Sequence, residues 1–168
     1  MPNDKNIANK ENRLKSGDKA PEFSLPNEDN VEIALRDLDG YTIILYFYPK
    51  DNTPGCTTEA DEFSALKEEF KAQNAVIVGI SPDSAASHRK FIESKKLNII
   101  LLSDENKAVA SLYRAFGKRV MYGKEVLGII RSTFIIKNGI ILESFYNVKA
   151  KGHAQKVLEK LQKLEQKG

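Results

Sequence analysis

Residues Tyr46 to Glu59 read Tyr-Phe-Tyr-Pro-Lys-Asp-Asn-Thr-Pro-Gly-Cys-Thr-Thr-Glu. The apolar run Thr42 to Tyr48 stops at Pro49, and a polar loop follows. Pro54 and Gly55 then break the chain again, just before Cys56, its one cysteine. Beyond Cys56, Phe63, Leu66 and Phe70 fall at helical spacing. The stretch is therefore a strand buried on both faces, a loop, and the first turn of a helix. Thr53 suits the N-cap and Pro54 the first helical position, so Cys56 stands third, within reach of the Thr53 hydroxyl. There the unpaired backbone N–H groups and the helix dipole favour an anion.

Working outward, residues 1–15 show no periodicity and many Asn and Lys, which predicts a frayed leader before a single domain over residues 16–168. Ala20 to Leu25 and Val31 to Ile33, with a turn at Asn27 to Asn30, predict a small N-terminal β-hairpin. After the Cys56 helix, expected to run to about Ala72 and stop at Asn74, Ala75 to Ile80 is a second buried strand. Asp83 or Ser84 caps a helix carrying Phe91 and Ile92 inward. Asn98 to Leu102 is a third strand, and Asp104 starts a third helix with Val109, Leu112 and Phe116 on one side. Leu127 to Lys137 and Ile140 to Tyr146 read as strands joined at Asn138-Gly139, a two-residue hairpin turn. A last helix, Gly152 to about Gln166, carries Ala154, Val157, Leu158, Leu161 and Leu164 as one apolar stripe. Alternating β and α elements followed by a hairpin imply an α/β fold, with a mixed parallel and antiparallel central sheet flanked by helices.

At 168 residues, 41% hydrophobic and 29% charged, the chain has the composition of an ordinary globular domain. No apolar run reaches the length of a membrane span, and the polar N-terminus has no signal-peptide core. A single cysteine rules out an internal disulfide and points to a reducing, cytoplasmic compartment. Of the net charge of +3, the segment Lys149 to Gly168 holds six Lys and two Glu, a surplus of four. The basicity thus belongs to one helix face, and nucleic-acid and membrane partners are not expected.

A single cytosolic cysteine is most often a small buried hydrophobe. A cysteine at a helix N-terminus is different, because such positions lower thiol pKa values from ~8.5 into the range ~3.5–7.5. At pH 7 a thiol of pKa ~8.5 is already about 3% ionised, so full ionisation gains only ~30-fold, about 2 kcal/mol. Part of that gain is lost again, because nucleophilicity falls with pKa. A fast thiol enzyme must also stabilise its transition state, where one well-aimed donor contributes ~2.7–4 kcal/mol. The candidates are the Thr53 hydroxyl, the Cys56 N–H and a guanidinium. Arg131, set in the apolar run Leu127 to Ile136, needs an anionic partner. A Cys56 thiolate or Glu59, one helical turn after the cysteine, would serve, and the two are compatible.

Other chemistries fail the residue count. No Cys-x-x-Cys supports dithiol exchange, and no Gly-rich phosphate loop follows a strand. His88 and His153 have no companion ligands in sequence, so both read as surface or packing residues and no metal site is expected.

Phe47 to Cys56 contains Pro-x-x-x-Thr-x-x-Cys and resembles the active-site signature of peroxiredoxins. With Thr57 it looks like the bacterioferritin comigratory protein, or peroxiredoxin Q, branch. Gly-Ile-Ser-Pro-Asp at 79–83, Leu-Leu-Ser-Asp-Glu at 101–105 and Arg-Ser-Thr-Phe-Ile-Ile at 131–136 extend the similarity from about Leu14 to the C-terminus. The resemblance implies a thioredoxin-like fold and a cofactor-free reduction of hydrogen peroxide and organic hydroperoxides. Cys56 would be the peroxidatic cysteine, oxidised to sulfenic acid. Thr53 would hydrogen-bond the peroxide, Pro49 would shield the site from water, Arg131 would activate thiolate and peroxide, and Glu59 would orient the arginine. The branch favours a monomer.

Two departures stand out. Many members of the branch carry a resolving cysteine where this chain has Asp61, and others place it in the next helix, where Ser84 to Lys96 contains none. Regeneration must then come from thioredoxin, glutathione, another thiol, or the Cys56 of a second copy. Unlike thioredoxin, the chain has no proline after Pro82 to supply the cis-proline that faces a dithiol site. The missing resolving cysteine also leaves an alternative open: a redox sensor on the same fold, oxidised at Cys56 with slow turnover.

Overall fold

The computed structural model describes Ala8 and residues 11–167. Strands β1 (Ser24–Pro26) and β2 (Glu32–Ala34) form the N-terminal hairpin, followed by a 3-10 turn at Leu35–Leu38. Then come β3 (Thr42–Phe47), α1 (Pro54–Ala65), α2 (Lys67–Ala72), β4 (Ala75–Ser81), α3 (Ala85–Lys95), β5 (Ile100–Ser103) and α4 (Ala108–Leu112). A ribbon of β6 (Phe116–Met121) and β7 (Lys124–Ile129) precedes β8 (Ser132–Lys137), β9 (Ile140–Phe145) and α5 (His153–Lys167). The central sheet has the order β5-β4-β3-β8-β9, with β3 parallel to β4 and antiparallel to β8.

Strand β3 is central, and its two faces serve two cores. Ile43, Leu45 and Phe47 join Phe23, Val109, Tyr113 and Phe134 on one side. Ile44 and Tyr46, with Tyr48 just beyond the strand, point to the other side, against Cys56 and Phe63 of α1, Phe70 of α2, Phe91 of α3 and Val157 and Leu161 of α5. All six β3 residues are buried, so the continuous apolar run follows from burial on both faces. Gly79, opposite Tyr46 in the parallel register, is required by space: a Cβ there would sit 2.8 Å from the Tyr46 ring.

Several expected elements change. The first helix divides at Leu66, whose ψ of 9° leaves the helical range although its N–H still reaches the Glu62 carbonyl. Asn74 ends α2 at φ 57°, as expected. Asp104 does not start the next helix: the short α4 begins at Ala108 after Lys107, and Asp104 accepts from the Val109 and Ala110 N–H groups of its first turn. Phe116 lies beyond it in β6. The run Leu127 to Lys137 is not one strand. Its first three residues close β7 against β6, and the chain breaks at Ile130 and Arg131 before β8. The β6–β7 turn escaped notice because Tyr122 and Gly123 take the positive-φ positions that Asn-Gly would have advertised.

Most of the segment expected as a frayed leader, residues 1–7, 9 and 10, lies outside the described residues. Ala8 N–H donates to the Phe116 carbonyl, Leu14 N–H to Tyr146 Oη at 3.0 Å, and Ser144 Oγ to the Leu14 carbonyl. Among the described residues no helix is long and apolar enough to cross a membrane.

Candidate active site

Tyr48 N–H still pairs with the Ile80 carbonyl, but Pro49 has no N–H and ends the ladder. The chain turns through Asn52, at φ 62°, into Thr53, whose extended backbone makes it the N-cap of α1. Pro54 occupies the first turn, and the Thr53 carbonyl takes the Thr57 N–H at 2.8 Å. The Thr53 hydroxyl does not cap the helix. It donates instead to the Lys50 carbonyl at 2.7 Å, across the loop. With its hydrogen committed there, the oxygen is left to accept a bond from a bound molecule. The first turn has no side-chain cap, so its N–H groups stay available at the cysteine.

Cys56 is a free thiol, 1% exposed. Arg131 reaches it from the break between β7 and β8, with Nη2 3.4 Å from Sγ. Nη1 of the same guanidinium donates to Glu59 Oε1 at 2.6 Å. The planar fork thus satisfies both partners that the sequence allowed. Gly55 leaves room for it, since a Cβ there would meet Arg131 Nη2 at 3.1 Å.

The electrostatics follow from burial. Burial pushes the Glu59 carboxyl up to about 7, against the pull of Arg131. Burial pulls the Arg131 guanidinium down, but the charges of Glu59 and Cys56 outweigh it and hold the group above its ordinary value. Beneath them the Tyr46 ring stacks on Phe63 at 4.8 Å. Glu59 Oε2 and the Tyr46 hydroxyl are buried with no hydrogen-bond partner among the described residues.

Half-buried Pro49 lines, with Arg131, Arg119, Ile129, Ile130, Asn147 and Val148, an open cleft of about 220 Å³. Cys56, Arg131 and Glu59 are therefore in direct contact, Thr53 stands at the head of the same helix, and Pro49 is at the cleft. Asp61 is exposed on α1. Sequence reasoning missed the Lys50 carbonyl, which backbone chemistry hides in any sequence, and Arg119, which lies on the unrecognised ribbon. The histidines, expected as surface or packing residues, are both buried and belong to the packing. His88 pairs with Asp51, and His153 Nε2 lies 2.7 Å from Thr133 Oγ1. Burial lowers the pKa of His153 to about 4.

The AhpC/TSA family matches residues 16–144. A putative peroxiredoxin Bcp of Helicobacter pylori is 64% identical over 150 residues, covering 89% of this chain and 99% of the relative. A cysteine variant of Xylella fastidiosa PrxQ superposes with a TM-score of 0.85 at 35% identity, over 91% of this chain and 98% of that one. The bacterioferritin comigratory protein of Xanthomonas campestris, solved as trapped intermediate and ligand complexes that bear on its alkyl peroxide reduction, gives a TM-score of 0.79 at 39% identity. That match covers 83% of this chain and 90% of the other.

Proposed function

This chain belongs to the AhpC/TSA family, in its Bcp and Q branch of peroxiredoxins, and we propose that it reduces peroxides at Cys56 at the expense of an external thiol. The observation that carries the reading is the Arg131 fork between the Cys56 sulfur and Glu59. The thiolate attacks one peroxide oxygen and the O–O bond breaks. The leaving oxygen takes a proton and departs as water or an alcohol. Sulfur loses two electrons to become sulfenic acid, and the peroxide gains them.

Each residue has a role in that step. Arg131 is the counter-charge to the thiolate and a donor to the peroxide oxygen that develops charge. Thr53, its hydrogen held by the Lys50 carbonyl, accepts the hydroperoxide O–H and orients the oxygen to be attacked. Pro49 keeps water from the cysteine side of the cleft, and Glu59 fixes the arginine. The domain over residues 16–168 needs no cofactor for this chemistry.

Regeneration takes a first thiol, which displaces water from the sulfenic acid and leaves a mixed disulfide. A second thiol then releases Cys56. With no second cysteine in the chain, both come from outside, from thioredoxin, glutathione or another thiol. We place the protein in the cytoplasm as a monomer that acts on hydrogen peroxide and organic hydroperoxides and binds neither nucleic acid nor membrane. The relatives do not favour the sensor alternative.

The test is NADPH-coupled peroxide consumption with thioredoxin or glutathione supplied. Wild type turns over and Cys56→Ser does not. Full turnover by Cys56→Ser would sink the assignment. Intact mass after one equivalent of peroxide should show one added oxygen on Cys56, replaced by an adduct when thiol is present.

A further inference from the structure

Beneath the loop that carries Thr53 lies a buried ionisable pair with no part in the steps above. His88 on α3 and Asp51 in the loop are both buried, with Nδ1 2.7 Å from Oδ2. The ring's Nε2 lies 2.9 Å from the Leu102 carbonyl oxygen. A carbonyl only accepts, so Nε2 carries a hydrogen. Asp51 Oδ1 accepts from Tyr48 Oη at 2.6 Å, and Oδ2 accepts from Ser87 Oγ at 2.8 Å. The short Nδ1–Oδ2 contact needs one further proton. With it, an imidazolium sits on a carboxylate. Without it, a ring lone pair faces a carboxylate oxygen in a site closed to water.

We propose that His88 is a positioning residue for the Cys56 reaction: protonated on both nitrogens, it clamps Asp51 and so fixes the Lys50–Thr53 turn that aims the Thr53 hydroxyl. The inference rests on the peroxidase reading. The mechanical path is short. Lys50, whose carbonyl holds Thr53 Oγ1, directly precedes Asp51, and Asp51 N–H is itself tied to Asp83 Oδ2 at 2.8 Å. The turn contains Asn52 in the left-handed region, a conformation that surrounding contacts must hold in place.

The groups facing His88 come from every element around it. They are Asp51 from the loop, Tyr48 Oη from the end of β3 at 3.5 Å, Asp83 from the turn after β4, and the Leu102 carbonyl from β5. Burial disfavours the imidazolium. The Asp51 hydrogen bond and charge, the Leu102 carbonyl and the Asp83 charge outweigh it and hold the group above its ordinary value. Asp51, Asp83 and His88 also bring ligand atoms within 4.8 Å of one another. The carboxylate oxygens turned toward that cluster already accept hydrogen bonds from the chain, which suits a proton network better than a cation cage.

The pH consequence has one sign. The clamp contributes fully below the ordinary histidine pKa of ~6.5 and is lost as pH rises through the raised value of His88. A fall in rate that shares the midpoint of the His88 titration therefore reports the clamp.

The experiment pairs nitrogen NMR of the imidazoles with stopped-flow oxidation of Cys56 by hydrogen peroxide, on the full chain from mildly acidic to alkaline pH. His88 should show two protonated ring nitrogens at neutral pH, with neutral His153 as internal contrast. The rate constant should fall about tenfold with the same midpoint as the His88 titration. His88→Gln, which cannot titrate, should react about tenfold more slowly at neutral pH and show no fall at that midpoint. A neutral His88 at neutral pH, unmatched midpoints in wild type, or a wild-type profile in His88→Gln would each overturn the proposal. If His88→Gln does not fold, the two wild-type midpoints decide. A wild type inert to peroxide would instead overturn the peroxidase reading and leave the His88 titration standing.

Discussion

Arg131 places Nη2 3.4 Å from the sulfur of Cys56, across a sequence separation of 75 residues. The other arm of the fork holds Glu59 at 2.6 Å, so one side chain links the cysteine sulfur to a buried carboxyl. Arg131→Lys keeps the charge but cannot span both partners. The expected result is a loss of ~10²–10³-fold in the second-order rate with hydrogen peroxide, measured by stopped flow on folded variant.

The hydrogen bond from Thr53 Oγ1 to the Lys50 carbonyl predicts a split between two substitutions. Thr53→Ser keeps the hydroxyl and should retain the rate to within about tenfold, whereas Thr53→Val should lose ~10²-fold. The Lys50 carbonyl is at the exposed side of the loop, so the unfolding free energies of the two variants in urea should lie within about 1 kcal/mol of wild type.

Glu59 supplies a pH test of stability. Its pKa is raised from 4.5 to about 7 in the folded protein, so folding favours the protonated acid. That contribution is complete below 4.5 and is lost as pH rises through about 7. Glu59→Gln, neutral throughout, should lack this slope. In urea titrations at a series of pH values it should gain on wild type as pH passes neutrality.

His153 slopes the other way. Folding lowers its pKa from 6.5 to about 4, so the neutral ring contributes stability above 6.5 that is lost as pH falls through about 4. The ring packs edge-on against Phe63 and Phe145 and is bonded to Thr133, where burial and the charges of Arg131 and Lys156 disfavour a further proton. His153→Gln should flatten the acid limb of the stability profile, as read by thermal unfolding.

Gly79→Ala tests the β3–β4 seam. The added carbon would sit 2.8 Å from the Tyr46 ring and 3.0 Å from Leu101, so the ring that stacks beneath the site must shift. The expected cost is ~1–3 kcal/mol in urea unfolding, with a smaller loss when Tyr46→Leu is made as well.

Much of this is legible in the sequence. The run Thr42 to Tyr48 could only be a central strand, because seven such residues are stable only when both faces are covered. Thr53, Pro54 and Cys56 announced a helix start through local capping chemistry, and Arg131 betrayed itself as a charge in apolar surroundings. The Phe116 to Ile129 ribbon was not legible, because its strands are charged, largely exposed and joined by Tyr-Gly, with no apolar period to read. Whether His88 and His153 sit at the surface or in the packing was not legible for a related reason. Their partners, Asp51 with Leu102 and Thr133, come from other elements.

The sequence by itself determined the strand–loop–helix at Tyr46 to Glu59 and the single cysteine at the head of its helix. Those follow from residue type and near-neighbour spacing. Only the tertiary structure decided that the chain breaks at Arg131 so that its fork meets both Cys56 and Glu59, and that the Thr53 hydroxyl chooses the Lys50 carbonyl over the helix it heads. Those choices depend on the positions of polar atoms brought together by the packing of distant segments, and a hydrogen bond forms only where distance and angle allow it.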